Sequence, residues 1–91
     1  MLEALEHLIN LARERKKNPL KESYTNKLLE DKLLCRSKVL EEIDELVEAI
    51  EKDSNKIHEA ADVFYHLLMY LEANNIMIEK VMEELINRRK S

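Results

Sequence analysis

Apolar residues recur along the chain at steps of three and four, which predicts helix almost throughout. Leu5, Leu8, Ile9 and Ala12 mark one face of a first helix. It should end near Asn18-Pro19, because Pro disfavours helical geometry in the residue before it. A polar stretch, KNPLKESYTNK, follows, and Ser23 or Thr25 can cap a short second helix that continues through Glu30. The third helix is predicted from about Leu33 to Lys52. Asp53, Ser54 and Asn55 then offer three consecutive capping residues, so the chain turns there. A fourth helix runs to about Ala73, where Asn74-Asn75 stands in for glycine as a left-handed terminator. A fifth begins near Ile78 and ends in NRRK at 87–90, basic residues suited to a helix C-terminus.

Successive helical residues are about 100° apart around the axis. On the third helix this places Leu46, Val39, Ile50, Ile43, Val47 and Leu40 in one apolar arc, read as the core face. Ala49 lies just outside its edge, Glu42 falls at the rim, and Glu45 and Glu41 come next. On the fourth helix Val63, Leu67, Ala60, Leu71, Phe64, Ile57 and Leu68 form the arc, with Glu59 and Asp62 at one edge and His66 between them in projection.

Composition agrees with helices and removes several functions. The 91 residues contain no Gly and one Pro, so tight hairpins and sheets lack their usual turn residues. A phosphate-cradling glycine loop is likewise excluded, and any phosphate chemistry must use side chains and a metal. The net charge of −4 gives no support to binding a nucleic-acid polymer. The lone Cys35 follows two leucines and reads as a buried apolar residue in a reducing compartment. The N-terminus is too acidic for an export signal, and the longest apolar run, Val63 to Leu71, is too short to span a membrane. The expectation is a soluble, cytoplasmic, all-α protein, one domain over residues 1–91, built as an antiparallel bundle of four to five helices. A chain this short buries little core, so dimerisation should complete the bundle.

Folding the third and fourth helices back about the turn brings their acidic residues together. The midpoints of Glu42/Glu45 and of Glu59/Asp62 are equidistant from residue 52, so both pairs reach the same height. Two like charges about 5 Å apart repel by roughly 3 kcal/mol at an effective dielectric near 20. A hard divalent ion, Mg²⁺ or Mn²⁺, relieves that repulsion and keeps positions open for water and phosphate oxygens. The competing reading is that these carboxylates merely solvate the outer faces, which suits one such pair better than two pairs in register. For His66 the plainer reading, a core-edge histidine bonded to a carboxylate, is preferred over a metal ligand. A di-iron bundle is rejected, because the spacing is Asp62-x-x-x-His66 and no Glu-x-x-His element occurs.

Glu41-Glu42-x-x-Glu45 followed by Glu59-x-x-Asp62 resembles the EExxE…ExxD signature of the MazG-like all-α nucleotide pyrophosphohydrolases. SYTNKLL at 23–29, KVLEE at 38–42, EAADVFYHLLMYL at 59–71 and VMEELINRR at 81–89 are similar, in order and spacing, to the phosphoribosyl-ATP pyrophosphohydrolases of histidine biosynthesis. Where that family usually has Gly, this chain has Glu22, Leu40 and Asn74-Asn75 at or near the same points. The resemblance implies Mg²⁺-dependent hydrolysis of phosphoribosyl-ATP, a small-molecule nucleotide, to phosphoribosyl-AMP and pyrophosphate by a homodimer. It implies Glu42, Glu45, Glu59 and Asp62 as metal ligands, with Glu41 supporting them or orienting water, so that Glu41, Glu42 and Glu45 carry the catalysis. Lys27, Arg36 and Lys38 become candidates for phosphate contact, and Ser23, Tyr24 and Thr25 for lining the substrate site.

Two alternatives stand beside this one. A house-cleaning nucleoside triphosphate pyrophosphohydrolase would share the acidic quartet. A non-enzymatic helical interaction module would use Val39, Ile43, Leu46 and Ile50, spaced 4, 3 and 4, as a coiled-coil seam, with no need for metal.

Overall fold

The computed structural model describes residues 1–89 and contains five α-helices, with no strand among the described residues. They are α1 (Glu3–Lys17), α2 (Tyr24–Glu30), α3 (Lys32–Lys52), α4 (Lys56–Ala73) and α5 (Ile78–Arg88). Lys90, the last residue of the expected basic terminus, lies outside the described residues.

Local chemistry explains where each helix stops and starts. Ser23, rather than Thr25, caps α2, its Oγ accepting the Asn26 N–H at 3.2 Å. Asp31 closes α2 and opens α3, its Oδ1 accepting the Leu34 N–H at 3.0 Å, so α3 starts one residue before Leu33. The α3–α4 turn corrects the expectation of side-chain caps there. Asn55 makes no side-chain cap bond, and the turn rests on left-handed backbone at Asp53 (φ 54°) and Asn55 (φ 55°). Ser54 N–H bonds Ala49 O at 2.9 Å and Asp53 N–H bonds Ile50 O at 3.2 Å, closing the last turn of α3. At the end of α4 the same pair of bonds recurs, Ile76 N–H to Leu71 O and Asn75 N–H to Glu72 O, with Asn75 at φ 58°. A chain without glycine thus places Asp and Asn, the side chains that best tolerate this region, at every left-handed position among the described residues.

The core is small and drawn from four helices. Ala12 of α1, Leu28 of α2, Cys35 of α3 and Met69 of α4 are wholly buried, with Leu29 beside them and Leu8, Tyr65 and Tyr70 packed around. This corrects the expected core faces. On α3 the buried line is Cys35, Val39, Glu42 and Ala49, while Leu40, Ile43, Val47 and Ile50 are exposed. On α4 Val63, His66, Leu68, Met69, Glu72 and Ala73 are buried, while Ile57, Phe64 and Leu67 are exposed. The physical reason is supply. α1 and α2 cover one side of the α3–α4 hairpin, and little remains in one chain to cover the other. The proposed coiled-coil seam is split by the same geometry, with Val39 buried and Ile50 57% exposed.

α5 buries no residue. It is tied to the bundle by Arg13, whose Nη2 and Nη1 donate to Glu79 at 2.7 and 3.0 Å. An apolar groove of about 600 Å³ separates it from α1, lined by Leu5, Ile9, Ile78, Met82 and Ile86 among others. Among the described residues no helix is long and apolar enough to cross a membrane.

Candidate metal centre at the α3–α4 turn

The hairpin places the acidic residues of α3 opposite those of α4, as equal distance from the turn requires. One oxygen each from Glu42, Glu45 and Glu59 lie within 4.8 Å of one another. A second triad, His58, Glu59 and Asp62, has the same spacing, so Glu59 belongs to both. All four expected carboxylates are therefore in one cluster, arranged as two overlapping groups.

The surroundings of the cluster are unfavourable to bare negative charge. Glu42 is only 7% exposed, and Oε2 of Glu42 and Oε2 of Glu59 are both buried without a hydrogen-bond partner. Burial pushes the Glu42 carboxyl above the ordinary range; neighbouring Glu45 and Asp62 push it further, and His66 opposes them. Glu59 is raised chiefly by desolvation and then by the charge of Glu45, with His58 acting the other way. A hollow of about 190 Å³ opens beside the cluster, bounded by Glu45, Glu48, Ala49, Lys52, Ser54, Asn55 and Glu59. Two orphaned carboxylate oxygens in a set of four carboxylates, with the His58 imidazole at its exposed edge, fit a hard divalent cation.

The other sequence-derived candidates divide clearly. Glu41 stays out of both triads and pairs with Lys38 at 3.2 Å. That carboxylate raises the Lys38 ammonium, and the charges of Tyr24 and Glu42 add to it. Of these candidate cations, Lys38 is the one held by a carboxylate of α3. Lys27 and Arg36 are exposed, with no side-chain partner among the described residues. Ser23 and Thr25 are committed to the scaffold. Ser23 Oγ accepts from Arg15 Nη1 at 2.7 Å as well as from Asn26, and the Thr25 hydroxyl bonds the Tyr65 hydroxyl. Tyr24, by contrast, is 45% exposed and reaches His66.

Sequence reasoning missed two residues. His58 stands one turn before Asp62, its Nε2 3.4 Å from Asp62 Oδ2; the i,i+4 spacing was the available signal. Arg15 anchors Ser23, a contact between chain segments that no local pattern announces. His66 is buried as expected but bonds a different group. Its Nδ1 lies 2.7 Å from the Asp62 backbone oxygen and its Nε2 2.8 Å from Tyr24 Oη, so its partners are a carbonyl and a phenol, not a carboxylate. Cys35 is a buried thiol, as read, pushed up to about 11 by burial.

Comparison with known proteins meets the same residues. The family model of phosphoribosyl-ATP pyrophosphohydrolase matches residues 3–89. A phosphoribosyl-ATP pyrophosphatase of Clostridium acetobutylicum is 44% identical over 94 aligned positions, covering 97% of this chain and 83% of that protein. One of Bacillus cereus (strain AH187) is 41% identical over 93, covering 97% and 85%. A histidine biosynthesis bifunctional protein of Pyrococcus furiosus is 38% identical over 92, and there the match spans 43% of the longer protein. With its acidic cluster formed and a family match over nearly its whole length, the chain belongs to the phosphoribosyl-ATP pyrophosphohydrolase family.

Proposed function

We infer that residues 1–91 act as one catalytic unit that hydrolyses phosphoribosyl-ATP to phosphoribosyl-AMP and pyrophosphate in histidine biosynthesis. Family membership supports the substrate. The observation that supports the chemistry is the pair of buried, unpartnered oxygens on Glu42 and Glu59, within a group of carboxylates close enough to share a cation. Glu42, Glu45, Glu59 and Asp62 would hold Mg²⁺, or Mn²⁺, as ligands. Bound there, the ion supplies neutralisation of triphosphate charge and a lowered pKa for the attacking water.

The chain's own side chains do the rest. Glu41, the neighbour of Glu42 on α3, would orient water or take its proton once Lys38 turns to a phosphate. Lys38, Lys27 and Arg36 offer positive charge to the phosphates, Lys38 from its pairing with Glu41. Tyr24 lines the nucleotide side, and Ser23 and Thr25 hold α2 so that it can. Leu40, Ile43, Val47 and Ile50 of α3 and Ile57, Phe64 and Leu67 of α4 are exposed, as an apolar face that a partner would cover. A second copy laid against them completes a four-helix bundle core, so the active form is a homodimer. The single free thiol suits a reducing cytoplasm.

Pyrophosphate release from phosphoribosyl-ATP, ATP and dCTP tests the substrate. The expected result is turnover of phosphoribosyl-ATP far above the other two. Equal rates on all three would point to a house-cleaning pyrophosphohydrolase, and no turnover of any would return the chain to an interaction module.

A further inference from the structure

His66 is 5% exposed, and both ring nitrogens are engaged. The backbone oxygen of Asp62 can only accept, so the Nδ1 that lies 2.7 Å from it carries the ring proton. In the neutral ring Nε2 is then a bare lone pair, and the Tyr24 hydroxyl 2.8 Å away donates to it. The phenol keeps a proton to donate, since burial raises Tyr24 above its ordinary range. Ring packing fixes the pair in place. Tyr24 stacks on Tyr65 at 6.4 Å, and His66 meets both rings edge-on at 5.8 and 5.1 Å. The bond from His66 Nδ1 to the Asp62 backbone oxygen ties the pair to the acidic stretch of α4.

We propose that His66 is a positioning residue that claims the hydroxyl proton of Tyr24, leaving the phenolic oxygen able only to accept from the substrate. Such an oxygen is complementary to a sugar hydroxyl and not to an anionic phosphate oxygen, which has no proton to give. Tyr24 thereby reads a hydroxyl or N–H donor of the nucleoside part, while cations meet the phosphates. The inference rests on the proposed reaction and refines how its substrate is chosen. It also assigns a use to the short α2, whose first residue is Tyr24.

The test is a double-mutant cycle on Tyr24→Phe and His66→Phe, with melting curves on each protein. Each single change should raise KM for phosphoribosyl-ATP about tenfold with kcat little altered, and the double variant should be no worse than either. His66→Gln, which keeps one acceptor and one donor, should restore most of the loss. Additive KM effects, or losses that simply track melting temperature, would overturn the role. A second readout needs neither metal nor substrate: ¹⁵N spectra of the imidazole in chelator should show a protonated Nδ1 and a bare Nε2. A protonated Nε2 in the neutral ring overturns the inference even if phosphoribosyl-ATP is hydrolysed. If the wild type instead turns over another nucleotide, the reaction assignment fails, and the same cycle run on that nucleotide still decides the role of His66.

Discussion

Glu42 and Glu59 stand on different helices, yet each carries a buried, unpartnered carboxylate oxygen and both join Glu45 in one cluster. Neither oxygen has the hydrogen bond that burial ordinarily demands. Without a cation this arrangement costs stability, and relieving it should therefore stabilise. Glu42→Gln keeps the shape and removes one negative charge. In chelator its melting temperature should equal or exceed the wild type's, by a free energy on the order of 1 kcal/mol. Mg²⁺ should raise the wild type's melting temperature, and the variant's less. A metal-free variant melting several degrees below wild type would mean that Glu42 is a structural partner instead.

The pH dependence follows from opposite shifts. Glu42 and Glu59 are raised above the ordinary 4.5 in the folded chain, so the folded state holds those protons more tightly than the unfolded one. Their contribution is fully present below the unfolded value and is lost as pH rises through the folded values. Glu79 behaves conversely: Arg13 holds it down to about 2, so its contribution is present above the ordinary range and lost as pH falls toward that value. Melting temperature in chelator, followed from neutral to about pH 3, should rise first and then fall. A steady decline from neutrality would show that the cluster carries no such penalty.

Assembly can be tested on residues the single chain leaves bare. Phe64 is 55% exposed, so Phe64→Asp spares the protomer core while putting charge on the proposed interface. Burying one such side chain is worth about 1.5–3 kcal/mol, enough for the variant to sediment as a monomer where the wild type is a dimer. A wild type that is monomeric at micromolar concentration would contradict the dimer.

Cys35 provides a check on the core. Wholly buried and raised to about 11, its thiol should react with a disulfide reagent only as the protein unfolds. Rapid labelling of the folded protein would place α3 elsewhere.

Much of this was legible in the sequence. Helix positions followed from three- and four-residue spacing, and the acidic cluster from distances to the turn, because an antiparallel hairpin has a single register once its turn is located. What the sequence concealed was which side of each helix its own chain would cover. An apolar arc predicts burial without naming the partner, so Ile43 and Phe64 read like core although Cys35, Ala49 and His66 are the residues buried instead. The same ambiguity hid the depth of Glu42, read as rim and found in the buried line. The roles of Ser23 and Thr25 turned on Arg15 and Tyr65, distant residues that local spacing cannot connect to them.

The most direct measurement is pyrophosphate release from phosphoribosyl-ATP as a function of Mg²⁺, for wild type and Glu42→Gln. Wild-type activity should be absent in chelator and saturate with Mg²⁺, and the variant should lose activity by roughly two orders of magnitude or more at the same Mg²⁺. Turnover that persists in chelator, or a variant as active as wild type, would contradict a metal-dependent site built on Glu42, Glu45, Glu59 and Asp62.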